Sequence, residues 1–141
     1  MNKKVSLVLL VLLIFAATAS FVGAAPAADT RPLAVTIGYE SALNSGDTDG
    51  LAALFADGGV LIDGIGGDPV AGRAAIRDAL AAQLGPNRSF DVVWANMSGN
   101  QVTLIVDIAD RGVVWGRQTL RMTVEDGLIR SLEPIAFRIL F

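Results

Sequence analysis

No cysteine and no histidine occur anywhere in the 141 residues. Without cysteine there is no disulfide, so stability must come from apolar burial, and no lipid can be attached to an amino-terminal thiol. With both residues missing, the usual ligands for zinc, copper and haem are gone, and a Ser-His or Cys-His nucleophile is excluded. The expectation is therefore no metal and no cofactor. Lysine is confined to Lys3 and Lys4, and tyrosine to Tyr39. The net charge of −3 comes with scattered arginines rather than a clustered basic face, which argues against nucleic acid and against an anionic membrane surface. Any chemistry has to run on carboxylates, hydroxyls, arginine or tryptophan.

The first residues have the layout of an export signal: a basic start at Asn2-Lys3-Lys4, an apolar run from Val5 to Ala17, then small residues up to Ala24. Cleavage is expected after Ala24, with Ala27 as the alternative site. The apolar run is shorter than the ~20 residues of a spanning helix. Residues 1–24 are read as a signal peptide, 25–31 as a linker and 32–141 as one domain, periplasmic or extracellular. An uncleaved signal anchoring the chain to the membrane is the alternative.

Within the domain, Thr30 is a plausible N-cap and Pro32 stands near the first helical turn. Leu33, Ile37 and Leu43 fall near helical spacing, with Val35, Tyr39 and Ala42 widening the stripe. Asn44-Ser45-Gly46 ends this helix. Asp47 caps a short second one through Leu51, Leu54 and Phe55, which Asp57-Gly58-Gly59 ends. Val60 to Asp63 reads as a strand, and the glycine-rich loop after it lacks the lysine of a phosphate-binding loop. Gly72 to Leu84 is a third helix, with Ile76, Leu80 and Leu84 on one face.

Four runs rich in β-branched and aromatic residues follow: Ser89 to Asn96, Gln101 to Ala109, Val113 to Val124 and Leu128 to Ile139. Short polar turns between them indicate antiparallel hairpins. Gln118, Leu120, Met122 and Val124 alternate with Arg117, Thr119, Arg121 and Thr123, so one face is buried and one wetted. Asp107 falls opposite Leu104, Val106 and Ile108, which places it toward solvent. The order of elements predicts an α+β fold, a curved antiparallel sheet wrapped into a cone around the helices.

The stretch Tyr39-Glu40-Ser41-Ala42-Leu43-Asn44-Ser45-Gly46-Asp47, with Leu54-Phe55-Ala56-Asp57 and Gly72-Arg73-Ala74-Ala75-Ile76-Arg77, resembles the nuclear transport factor 2-like (SnoaL-like, cystatin-like) superfamily. Within it the similarity points toward the bacterial steroid Δ5-isomerases, the ketosteroid isomerases. The resemblance implies a pocket at the open end of the cone, a hydrophobic small-molecule ligand and a homodimer. It also implies two roles. Tyr39 matches the tyrosine that hydrogen-bonds the substrate oxyanion, and Asp63 the aspartate that moves the proton. A second donor of the family, a protonated aspartate on a later strand, aligns with Leu120, or with Arg121 if the register slips by one; neither is a carboxyl group.

The residues themselves leave alternatives open. Asp63 either faces the cone, where a carboxylate can move a proton next to a carbonyl, or merely opens the glycine turn. Tyr39 lies on an apolar helical stripe, and its hydroxyl needs a partner when buried; a ligand, a water or a backbone carbonyl would serve. Phe55, Trp94, Leu120, Met122, Leu132 and Phe137 are candidate pocket wall or core, and Gln118, Trp94 and Trp115 are candidate replacements for the missing donor. The function expected is a cofactor-independent double-bond isomerase. The alternative is a non-catalytic module of the same fold that binds a small molecule or pairs with a second chain.

Overall fold

The computed structural model describes residues 31–141, so the signal, the Thr30 cap and the linker up to residue 30 lie outside the described residues, while Arg31, read as the linker's last residue, begins the first helix. Three helices, α1 (Arg31–Ser45), α2 (Thr48–Ala53) and α3 (Arg73–Gln83), pack against a six-stranded sheet. Its strands are β1 (Phe55–Ile62), β2 (Pro69–Ala71), β3 (Arg88–Ser98), β4 (Gln101–Asp110), β5 (Val113–Glu125) and β6 (Leu128–Ile139), in the spatial order β2-β1-β6-β5-β4-β3. Neighbours run antiparallel except β1 and β6, which are parallel. The expected α+β architecture is present, and the four later strands fall where their composition and turns placed them.

The core forms on the concave side. Val102, Leu104 and Val106 of β4, Leu120, Met122 and Val124 of β5, and Ile129 and Leu132 of β6 alternate inward and join Phe55, Leu51, Ile76 and Leu80. Complete burial of a side chain of this size contributes about 1.5–3 kcal/mol. Helix α1 enters this hollow with Val35, Tyr39 and Leu43, spaced four apart, buried together. That stripe is rotated from the expected one: Leu33 and Ile37 are exposed, Ile37 by 60%. Thr36 shares the buried side because its hydroxyl donates to the Pro32 carbonyl at 2.9 Å, inside the helix.

α1 also closes the free edge of β3, whose backbone groups would otherwise be unpaired. Asn44 donates to the Phe90 carbonyl at 2.7 Å and accepts from the Phe90 N–H at 2.8 Å. Glu40 accepts from the Val92 N–H at 2.9 Å. As expected, Asp47 caps α2, accepting from the Gly50 N–H at 2.8 Å.

Two elements differ from the sequence reading. The second helix stops at Ala53, and Phe55 begins β1, so Asp57-Gly58-Gly59 lies inside a strand instead of ending a helix. The backbone decides this: the Ile129 N–H donates to the Leu54 carbonyl at 2.8 Å, which opens the β1–β6 pairing just after the helix. The register then shifts between Phe55 and Val60, and Arg73 Nε takes up the Phe55 carbonyl at 2.8 Å while pairing with Asp57. The second difference is β2, a short strand that folds back on Val60, Leu61 and Ile62 where only a turn was expected.

At Gly59 a Cβ would stand 3.0 Å from both the Ala56 and the Ile129 carbonyl oxygens, whereas at Gly58 it would meet nothing. Gly59→Ala should therefore cost about 1–3 kcal/mol through crowding. Gly58→Ala should stay within about 0.5 kcal/mol of wild type. Urea denaturation of the two variants measures the difference, and equal costs would contradict the crowding at Gly59.

Candidate active site

A cavity of about 180 Å³ opens at the wide end of the cone, between α1, α3 and the concave face of the sheet. Its floor is apolar: Leu61 of β1, Leu80 of α3, Leu120 of β5, and Leu132 and Pro134 of β6. Strand pairing assembles this floor from distant parts of the chain, with Leu61 opposite Leu132 and Leu120 opposite Pro134. Four polar side chains stand on it: Tyr39, Asp63, Gln83 and Gln118.

Tyr39 is buried to 4% exposure. Among the described residues its hydroxyl has no hydrogen-bond partner, and it is not sealed from the cavity that it lines. Burial pushes the phenol well above its ordinary pKa by disfavouring the charged form. The group is thus a neutral O–H with an unused donor. The core needs the ring, and the cavity receives the hydroxyl.

Asp63 follows the last residue of β1 and is exposed at the cavity mouth, not enclosed by apolar wall. Its N–H donates to the Asp68 carbonyl at 3.2 Å, closing the turn that returns to β2. Its Oδ1 accepts from Gln83 Nε2 at 3.2 Å. The residue starts the glycine turn, and its side chain lines the cavity. Gln83, at the last position of α3, was not singled out from the sequence. Its signal was there: it lies three residues after Leu80 and seven after Ile76, a polar residue on the helix's apolar face.

Gln118 points inward on β5, beside Leu120. Its cross-strand neighbours, Val106 on β4 and Phe137 on β6, are both apolar. Its amide has no hydrogen-bond partner among the described residues. The register fixes the ambiguity at the position of the second donor. Leu120 lines the cavity, while Arg121 is on the convex face, paired with Glu133 at 3.0 Å.

The remaining candidates are not brought to this cavity. Phe55 and Met122 are fully buried in the core, below the floor, because both stand on strands inside the packed region. Trp94 is 46% exposed. A register shift between Val92 and Trp94 breaks the alternation that would have kept them on one face, and Trp94 pairs with Ile105 on the convex side. Asp107 is also on the convex face, as alternation predicts, but it is not simply solvated. Arg117, opposite it on β5, donates Nε to Oδ1 at 2.6 Å and a second N–H to Oδ2 at 2.8 Å. That bidentate pairing holds the carboxyl below its ordinary pKa.

The sequence profile of the SnoaL-like domain matches residues 37–132. The fold is similar to solved structures that differ in their described activities. A candidate polyketide cyclase from Sinorhizobium meliloti is 26% identical, with a TM-score of 0.61, over 72% of this chain and 93% of that one. A nuclear transport factor 2-like protein of unknown function from Cytophaga hutchinsonii is 20% identical, with a TM-score of 0.63, over 76% and 89%. A candidate ketosteroid isomerase from Kribbella flavida is 19% identical, with a TM-score of 0.59, over 74% and 76%.

Tyr39 is the single tyrosine, so the tyrosinate absorbance reports this site alone. In the unfolded chain it ionises near the ordinary value of about 10, in the folded protein only at higher pH. Stability should therefore hold below that pH and fall as pH rises above it, because only the unfolded state then releases the proton. A spectrophotometric pH titration of the folded protein should show no tyrosinate near pH ~10; ordinary ionisation there would contradict the burial.

Proposed function

The chain belongs to the SnoaL-like domain family, and on that footing we propose that it is a cofactor-independent isomerase that shifts a proton next to the carbonyl of a hydrophobic small molecule. The observation that carries this reading is one cavity holding both an unused neutral donor, the Tyr39 hydroxyl, and an open carboxylate, Asp63. Asp63 takes a proton from the carbon between the carbonyl and a β,γ double bond. The electron pair moves onto the carbonyl oxygen, giving a dienolate, and the Tyr39 O–H donates a hydrogen bond to that oxygen. The same proton returns from Asp63 to the γ-carbon, and the double bond ends in conjugation. Nothing is oxidised or reduced, and one carboxylate serves as base and then acid.

Two further side chains complete the reading. Gln118 takes the part of the second oxyanion donor, on the same strand face as Leu120. Its amide donates without titrating, unlike a carboxylic acid. Gln83 holds the Asp63 carboxylate at the mouth through its 3.2 Å hydrogen bond. The cavity of about 180 Å³ is below the ~300–1,000 Å³ of sites that enclose drug-sized ligands, so only the carbonyl-bearing end of a larger ligand enters.

Two substrates test this: a β,γ-unsaturated ketosteroid and the small ketone cyclohex-3-enone, each followed by the rise in conjugated-enone absorbance. Asp63→Asn should lower the rate by about 10²–10⁴, and Tyr39→Phe by about 10²–10³. If Asp63→Asn leaves the rate unchanged, or the wild type turns over neither ketone while still binding an apolar ligand, the non-catalytic binding module is the right description.

We also propose that two copies pair through the convex face. Trp94, Ile105, Thr119 and Ala136 form a row there across β3 to β6, beside a second row of Asp91, Asp107, Arg117 and Arg138. The acids lie on one half of that row and the arginines on the other, so a two-fold axis sets opposite charges together. Trp94→Arg should shift the protein from dimer to monomer in sedimentation equilibrium; a wild type that sediments as a monomer contradicts the pairing.

A further inference from the structure

A second hollow, of about 360 Å³, lies beside the first, lined by Arg88, Asp110, Val113, Trp115 and Phe141. Two ties connect them. The Gln83 side chain lines the first cavity, and its carbonyl accepts from an Arg88 guanidinium N–H at 2.8 Å. Phe137, opposite Gln118 in the β5–β6 pairing, meets Trp115 edge-on with ring centroids 5.8 Å apart. Gly116 makes room for that contact, since a Cβ there would stand 2.9 Å from the Phe137 ring. The β4–β5 register is irregular here: Ile108 pairs with Gly116 and Ala109 with Val114, which leaves Trp115 without a partner on β4.

Arg88 is the unusual member of this group. Its guanidinium carbon sits 5.6 Å from the Trp115 ring centroid. Its Nε is buried with no acceptor, and among the described residues no carboxylate reaches ion-pairing distance of it. Asp110 faces it across the β3–β4 register but stays exposed and unbonded to it. A cation held against an indole, with an N–H unspent and no carboxylate paired with it among the described residues, is a site for an anion. Carboxylate and sulfonate groups fit a guanidinium edge in the two-bond manner, and Trp115, Val113 and Phe141 supply apolar surface for the body that carries the anion.

We propose that this hollow is a subsite for an anionic group on an apolar or aromatic body, and that Arg88 selects it. The ligand of the SnoaL-like domain is then an amphiphile, with its uncharged carbonyl end at Tyr39 and its acidic end over Trp115. The inference rests on the isomerase reading only for where the carbonyl end lies; the anion subsite stands on Arg88 and Trp115.

The test compares 2-naphthoate with 2-naphthamide, which share a body and differ in charge, by NMR titration of the Trp115 indole N–H, assigned with Trp94→Phe. The expected result is a Kd at least ~10-fold lower for the acid than for the amide. Arg88→Gln should abolish that preference while the amide binds as before, and Arg88→Lys should retain part of it. Asp110→Asn should tighten the acid, and Arg130→Gln, at the start of β6 where it pairs with Glu125, should change nothing. Equal affinity of acid and amide in the wild type, a preference that survives Arg88→Gln, or no Trp115 shift up to the solubility limit would each overturn the proposal. Asp63→Asn should bind both probes unchanged, so loss of isomerisation and loss of anion selection are separately visible.

Discussion

The seating of α1 in the hollow of the sheet is the interaction on which the other features depend. Two forces hold it there. Val35, Tyr39 and Leu43 bury their apolar surface against the inward strips of β4 and β5, and Asn44 and Glu40 satisfy backbone groups along the free edge of β3. The first fixes depth and the second fixes direction along the strand. A helix so constrained cannot rotate Tyr39 to solvent without uncovering the core and unpairing the edge. The phenol is therefore kept buried and neutral at the head of a cavity, although none of the described residues bonds to its oxygen.

The parallel pairing of β1 with β6 sets the other half of the site. It is the one non-antiparallel contact of the sheet, and it places Leu61 against Leu132 so that the chain leaves β1 at the wide end of the cone. Asp63 then falls at the mouth, within reach of Gln83 on the last turn of α3. The result is a graded surface: leucines beneath, then a phenol and an amide, then a carboxylate in contact with water. A ligand that loses its water stepwise along such a gradient need not strip a full charge from solvent, which is the most costly part of burial.

An anion-selecting Arg88 would extend that gradient outward and give the mouth a sign. It also accounts for an arrangement that packing alone does not require, a guanidinium laid on an indole with an N–H left without a partner. The proposed isomerase site and the proposed anion subsite use different residues, so a polar head and a reactive carbonyl would be recognised independently.

Much of this was legible in the residues. Strand composition and turn chemistry located β3 to β6, the Asp47 cap located α2, and the resemblance over Tyr39 to Arg77 pointed to the fold and to both Tyr39 and Asp63. What the sequence could not supply was register. A strand reads as strict alternation until an extra residue is inserted, and such insertions leave no local signature. The shift after Val92 put Trp94 outside, and the one near Ile108 left Trp115 without a partner on β4. The pairing of Leu54 and Ile129, far apart in the chain, turned a glycine stop into the middle of β1. Gln83 gained its place only when α3 was laid beside β1, and Arg88 when β3 paired with β4. The sequence by itself determined that the three helices and β3 to β6 would form and that each would turn an apolar face inward, because those follow from periodicity and short-range backbone preference. Only the tertiary structure decided which polar groups share a cavity, because that depends on hydrogen-bond register between strands distant in sequence.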